Sequence, residues 1–350
     1  MNLVQPENMS LLENVVWTLS NLCRGTPSPP KEMTAPIIFP LVSLLDQPIS
    51  DGAKVDILWA LSYLSDGDED KIELVLSSGV ASKLNCLLQD SNMKAKCKTP
   101  IVRILGNFVS GSDGQTQAVI DAGILNNLAC LLGSPSKSIR KESSWLASNI
   151  ACGNHEQITM LMKKTKVLKL IIKNAKHDCW EVRKEALWAL AHMGTSGNHT
   201  HVMSMVDAGG LEPLVKVLAL ENCEPSLLVA ILDALRKIME VGEVFANQSY
   251  EQLIDEFNGI EYLEELQTHP SEIVYEKVVS LIEDYFGVAE EGDDENLAPE
   301  TNESGTFGFG FAPGLASPKQ LFASFNTTEN SSAKEAFPFG SVSTNTFYPV

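Results

Sequence analysis

Trp59-Ala-Leu-Ser-Tyr63-Leu-Ser-Asp-Gly67 is the stretch that decides the fold, because the chain repeats it. Trp17-Thr-Leu-Ser-Asn21 precedes it by 42 residues. Arg103-Ile-Leu-Gly-Asn107 follows 44 residues later, then Trp145-Leu-Ala-Ser-Asn149 after 42 and Trp188-Ala-Leu-Ala-His192 after 43. A weaker copy, Asp233-Ala-Leu-Arg-Lys237, comes 45 residues further on. A Gly-containing turn follows each of the first five copies, at Gly25, Gly67, Gly111, Gly153 and Gly197. Glycine there is expected to stop a helix in the left-handed conformation.

Between the copies lie further helical patterns. Gly79-Val80 leads into Leu84, Leu87 and Leu88; Gly123-Ile124 into Leu128, Leu131 and Leu132; Gly209 into Leu214, Val217 and Leu218. These i, i+3, i+4 spacings mark amphipathic helices. After Trp145 the pattern departs, with Lys166 where the turn glycine is expected. A period near 42 residues of helix, turn, helix, turn, helix is the armadillo or HEAT signature. No segment alternates like a strand leading into a hairpin. The expected fold class is therefore all-α: a right-handed α-solenoid over residues 1–287, with each repeat packed on its neighbours. One long concave face would be lined by the helix that carries the Trp-x-x-x-Asn segment. The chain opens at a third helix, so Leu11, Leu12, Val15 and Val16 are expected to meet water on one side. That opening reads as the mark of a shortened product.

Charge narrows the partners. The 350 residues hold 26 Lys+Arg against 45 Asp+Glu, a formal charge of −19. Phosphate backbones need surplus cations, so nucleic acid is not the expected partner. No apolar run approaches the roughly 20 residues that span a bilayer, and Met1–Ser10 lacks the pattern of a signal peptide. The longest apolar run, around Ile37–Leu45, is broken by Pro40. The seven cysteines include no CxxC pair, which suits small buried hydrophobes in a reducing compartment. Residues 288–350 carry nine acids and two lysines and are rich in Ser, Thr, Asn and Gly, so an acidic, disordered tail is expected. Phe307-Gly308 and Phe339-Gly340 within it look like nucleoporin-type dipeptides or a glycine-softened linker.

Positions i and i+4 share one face of a helix. The residue four after each aromatic or Arg is Asn, Tyr, Asn, Asn and His, polar or capped by a hydroxyl each time. A buried row of unpaired amides would cost roughly 1–3 kcal/mol each, so the row is expected to face a groove. Asn amides there would hold an extended peptide by its backbone. Indoles would make slots for Lys and Arg stems, with cation–π attraction added. Glu13, Asp56, Glu142 and Glu185 lie about one turn before an aromatic and would meet the charged heads. The implied ligand is an extended Lys/Arg-rich peptide.

Leu-Ser-Asn-Leu-Cys-Arg-Gly25, Trp59-Ala-Leu-Ser-Tyr-Leu-Ser-Asp-Gly67, Gln115-Thr-Gln-Ala-Val-Ile-Asp-Ala-Gly123 and Ile282-Glu-Asp-Tyr-Phe-Gly287 resemble the importin α family, from about Leu11 to Gly287. The resemblance implies a nuclear import adaptor for proteins with basic localisation signals, moving between cytoplasm and nucleus. Trp17/Asn21 would fall in the fourth of the family's ten repeats and Trp188/His192 in the eighth. A minor cargo site would use Arg103, Asn107, Glu142, Trp145, Asn149, Glu185, Trp188 and His192. A remnant of the major site would use Trp17, Asn21, Asp56, Trp59 and Tyr63. His192 and Lys237 stand where the family has Asn. The family's basic importin β-binding segment has no counterpart before Arg24, which sets importin β coupling apart from cargo binding. The C-terminal repeats and tail resemble the region that engages the export receptor with RanGTP. A cargo sink without importin β, and a catenin-like armadillo scaffold, are the other readings. No cofactor or metal is implied: the six histidines scatter, and His199-Thr-His201, the only cluster, is expected in an inter-helix loop. No phosphate loop or nucleophile elbow marks an enzyme.

Overall fold

The computed structural model describes residues 8–25, 27–246, 249–287, 300–301 and 307–308. They divide into two units, 1–287 and 288–350. The described residues of the first unit form 18 helices in groups of three. Among the described residues the first of these groups contributes its third helix, α1 (Met9–Cys23). Then come α2 (Lys31–Leu44) and α3 (Asp51–Leu64), a group with two helices. Three full groups follow: α4 (Glu69–Leu76), α5 (Val80–Gln89) and α6 (Ala95–Phe108); α7 (Asp113–Asp121), α8 (Ile124–Leu132) and α9 (Lys137–Ala151); α10 (His155–Met162), α11 (Thr165–His177) and α12 (Trp180–Ser196). The last two are α13 (His199–Asp207), α14 (Leu211–Lys216) and α15 (Pro225–Phe245), then α16 (Tyr250–Glu256), α17 (Gly259–Leu266) and α18 (Glu272–Tyr285).

Like helices stack on like. Third helices touch in the order α1, α3, α6, α9, α12, α15, α18, and second helices in the order α5, α8, α11, α14, α17. This is an all-α solenoid, and its core runs along the stack. Two places after the leading residue, Leu61, Leu105, Leu190 and Leu235 are fully buried, with Ala147 in the same position of α9, while Leu19 of α1 is half-buried. Each fully buried leucine contributes about 1.5–3 kcal/mol by leaving water.

Several expectations change here. Leu12 and Val16 are not wetted: they are 1% and 0% exposed, because α3 covers them, and it is Leu11 that stands at 53%. Pro36 and Pro40 lie inside α2 without ending it. His199 and His201 sit in α13, not in a loop, with the His201 ring closing a capping box on Asn198. Lys166 is the second residue of α11, and its repeat turns at Lys163–Lys164 with Lys164 at φ −84°, so no left-handed residue is used there.

The glycines also divide differently. Left-handed backbone occurs at Gly79, Gly123 and Gly209, between first and second helices. Of the glycines after third helices, Gly67 has φ 152°, whereas Gly25, Gly111, Gly153 and Gly197 are not left-handed. Gly111 and Gly153 are required by crowding instead. A Cβ there would come 2.0 Å from Gln115 Oε1 and 2.2 Å from Gln157 Oε1. Those two amides fold back to accept from the N–H of Ser112 and Asn154, completing capping boxes at the starts of α7 and α10.

In the second unit, β1 (Glu300–Thr301) and β2 (Phe307–Gly308) pair antiparallel. The rest of the expected disordered tail, including Phe339-Gly340, lies outside the described residues.

Candidate peptide-binding face

The repeated segments all fall on third helices, so their side chains form a row along one layer of the stack. Trp17 is 58% exposed, and Trp59, Trp145 and Trp188 are half-buried. Trp59 stacks on Tyr63 with ring centroids 5.9 Å apart, and Trp188 lies 5.4 Å from the ring of His192. These are the i, i+4 neighbours that the spacing demands.

The polar partners are not unpaired, which corrects the cost argument that would turn them towards a groove. Asn107 is buried, 4% exposed, and its Nδ2 donates to Ser62 O at 2.9 Å and to Ser65 Oγ at 3.0 Å. Asn149 Nδ2 donates to Gly106 O at 3.3 Å, and His192 Nδ1 bonds Ser148 O at 2.9 Å. Ser65 Oγ apart, each acceptor is the carbonyl one residue before the corresponding position of the preceding repeat. Those carbonyls belong to the last turns of α3, α6 and α9, where helix acceptors run short of internal N–H partners; Ser148 O also accepts from the N–H of Cys152 at 3.1 Å. The row therefore clamps neighbouring third helices together. Asn149 and His192 remain half-exposed. Because a carbonyl can only accept, Nδ1 of His192 carries the proton and Nε2 is a lone-pair acceptor. Asn21 Nδ2 donates instead to Trp17 O of its own turn at 2.9 Å.

Two clusters emerge along the row. In the first, Glu13, Asn14, Trp17, Ser50, Gly52, Ala53 and Asp56 line a cleft of ≈ 570 Å³ between α1 and α3. Glu13 accepts from the Ser50 hydroxyl. Burial pushes the Asp56 carboxyl up, opposed by Lys96 and assisted by Glu13. In the second, Arg103 lies 5.2 Å above the Trp145 ring and pairs with Glu142 Oε1 at 2.6 Å, their side chains 39% and 9% exposed. The indole itself rests on bare backbone: a Cβ on Gly106 would come 2.3 Å from Trp145 Cζ3. One repeat on, Glu185 has no ion-pair or hydrogen-bond partner among the described residues. Burial raises its pKa, with Lys141, Lys184 and Arg103 opposing and Glu142 adding to the rise. Burial lowers His192. The second cluster is thus an indole pair with two carboxylates, of which one is already matched by Arg103 and one is not.

Beyond α12 the pattern ends. Asp233 stands where an indole would, and Lys277 pairs with it at 2.5 Å; Lys237 bonds Glu240 at 2.9 Å. Among the described residues no group of three or more His, Cys, Asp or Glu could hold a metal ion, and no helix is long and apolar enough to cross a membrane.

Comparison with known proteins places this geometry. The family model described as Armadillo/beta-catenin-like repeat matches residues 112–152, and that described as Atypical Arm repeat matches 248–300. Importin subunit alpha-4 of Arabidopsis thaliana is 36% identical over 323 residues, 89% of this chain and 58% of its own length. Importin subunit alpha-1b of Oryza sativa subsp. japonica is 38% identical over 86% of this chain and 56% of its own. The chain spans a little over half the length of these curated relatives. Among solved structures, a designed armadillo repeat protein in complex with the peptide (KR)4 superposes with TM-score 0.61 at 29% identity, over 71% of this chain and 99% of that one.

Proposed function

This chain belongs to the importin α family, and from that premise we propose that it is a nuclear import adaptor whose third-helix face holds the Lys/Arg-rich localisation signals of cargo proteins. Such an adaptor works in cytoplasm and nucleus, and binding rather than chemistry is its activity. The carrying observation is Glu185: a half-buried carboxylate that forms no ion pair or hydrogen bond among the described residues, one turn before Trp188 and beside the Arg103–Glu142 pair. A carboxylate in that state gains from a cation that arrives with its own apolar stem. Trp145 and Trp188 supply walls for such stems, while the remaining acceptors of the half-exposed Asn149 and His192 suit peptide N–H groups. The (KR)4 peptide on a designed armadillo protein shows this ligand chemistry on the same fold.

The test is a titration with fluorescein-labelled (Lys-Arg)4, read by anisotropy. Trp145→Ala is expected to weaken binding about tenfold or more, a loss of about 1.4 kcal/mol or more. Glu185→Gln, which keeps the shape and removes the charge, should weaken it by several-fold. Equal affinity for all three proteins would overturn the assignment of the site.

A further inference from the structure

One departure in the sequence is not used by the third-helix face. Where the repeat after Trp145 should turn on glycine, the chain reads Lys163-Lys164-Thr-Lys166, then Lys169, Lys173 and Lys176. No residue from 157 to 177 is acidic, in a chain of net charge −19. On α11, Val167, Leu168, Ile171, Ile172 and Ala175 face the core, which leaves Lys166, Lys169 and Lys173 on the exposed side at spacings of three and four. Lys163 and Lys164 extend the same basic surface from the preceding turn and are exposed too. Lys164 bonds the Asn126 side-chain oxygen at 2.9 Å, and Lys176 pairs with Glu212 at 2.5 Å. Lys163, Lys166, Lys169 and Lys173 reach no carboxylate among the described residues. Elsewhere lysines commonly pair with the next or the preceding repeat, as Lys83 does with Asp46, Lys94 with Asp51 and Lys184 with Glu224.

Local physics disfavours this arrangement. Like charges three and four apart on a helix repel. Lysines at a helix N-terminus sit at the positive end of its dipole, and the first turn of α11 holds no acid to offset them. The neighbouring second helix, α8, carries no charged residue, and the acid of α14 is already paired with Lys176. A surface that leaves its cations uncompensated is set up for an anion supplied from outside.

We propose that the exposed face of α11, with Lys163, Lys164, Lys166, Lys169 and Lys173, docks an acidic peptide segment of a partner protein. The face belongs to the second-helix layer, so it is separate from the row that carries Trp145 and Trp188. Its size selects the ligand. Thirteen helical residues span about 20 Å, the length of roughly six residues of extended peptide. A duplex or a bilayer surface reaches far past that patch, onto a solenoid whose residues 1–287 carry a net −12 once the tail's −7 is set aside. Long polyanions would be repelled at the margins. A short acidic segment touches the lysines alone.

The experiment uses the full chain, fluorescein-labelled (Asp-Glu)4 and anisotropy. Wild-type protein is expected to bind, and Lys166→Glu/Lys169→Glu/Lys173→Glu to lose about tenfold or more in affinity. A neutral triple, Lys166→Gln/Lys169→Gln/Lys173→Gln, should give an intermediate loss, and added NaCl should weaken binding of the wild type. Helical circular dichroism and binding of (Lys-Arg)4 serve as the check that the variants fold. Absence of (Asp-Glu)4 binding, or equal affinity in wild type and both folded triples, overturns the proposal. So does tighter binding, through the same lysines, of a single-stranded RNA oligomer or of phosphatidylserine vesicles.

Discussion

Glu185 and His192 set how the third-helix face answers to protons, and both pull the same way. Burial raises Glu185, so in the free protein it takes up a proton at a pH where an exposed glutamate is still ionised. A lysine or arginine docked beside it favours the ionised form, so binding releases that proton and strengthens as pH rises through this range. Burial lowers His192, which keeps it neutral below the ordinary histidine value of about 6.5. Once pH falls through its lowered value, it places a cation in a slot made for cations. Lys141, Lys184, Arg103 and Glu142 surround Glu185. Affinity for (Lys-Arg)4 is therefore expected to fall as the solution is acidified, and Glu185→Gln should flatten part of that fall. An acid-insensitive wild type in the same anisotropy assay would contradict this. The fold responds with opposite signs. Glu185 is more easily protonated folded than unfolded, so its burial penalty is relieved as pH drops through its raised value. His192 is harder to protonate folded, so its contribution is whole above the unfolded value and is lost as pH falls towards the lowered one.

At the scale of the elements, glycine carries two messages that a sequence does not separate. Gly123 is left-handed, φ 94°, which an alanine can adopt only under strain. Gly111 is not left-handed, and a Cβ there would meet the flexible end of Gln115. Gly123→Ala should then cost about 1–2 kcal/mol, and Gly111→Ala about 1 kcal/mol through the lost cap. Thermal melts of the two variants, alone and combined with Gln115→Ala, separate the causes. The cost of Gly111→Ala should largely vanish in the Gln115→Ala background, and the cost of Gly123→Ala should persist. Equal persistence of both would mean that strain acts at Gly111 as well. Helix positions and the order of the repeats were legible from the spacing of Trp17, Trp59, Arg103, Trp145 and Trp188, because burial imposes a period on apolar residues. The glycine roles were not, since φ and close approach both select the same missing Cβ. The clamp of Asn107 on Ser62 and Ser65 was hidden for a related reason: its acceptors lie 45 and 42 residues away, and one of them is backbone.

Over the whole solenoid, the charge pattern decides how much peptide the face can use. Cation-friendly residues run from Glu13, Trp17 and Asp56 to Glu185 and Trp188, across the five third helices α1 to α12. The next helix, α15, presents Asp233 already matched by Lys277, then Lys237. The acids there, Asp233 and Glu240, are already matched by lysines and no indole stands beside them, so the useful stretch ends there. Neighbouring helices pack about 8–10 Å apart, so four intervals cover roughly 40 Å, which about 12 residues of extended chain would span. Across that length Arg103 interrupts the row, but Glu142 neutralises it. Affinity should therefore climb along the series (Lys-Arg)2, (Lys-Arg)4 and (Lys-Arg)6, then level off at (Lys-Arg)8, beyond the small statistical gain of extra binding registers. Lys237→Glu, which reverses the charge at the end of the row, should let the longest peptide gain again. A continued steep rise from (Lys-Arg)6 to (Lys-Arg)8 in the unaltered protein would place the end of the face beyond α15. No gain from (Lys-Arg)2 to (Lys-Arg)6 would confine binding to one of the two clusters.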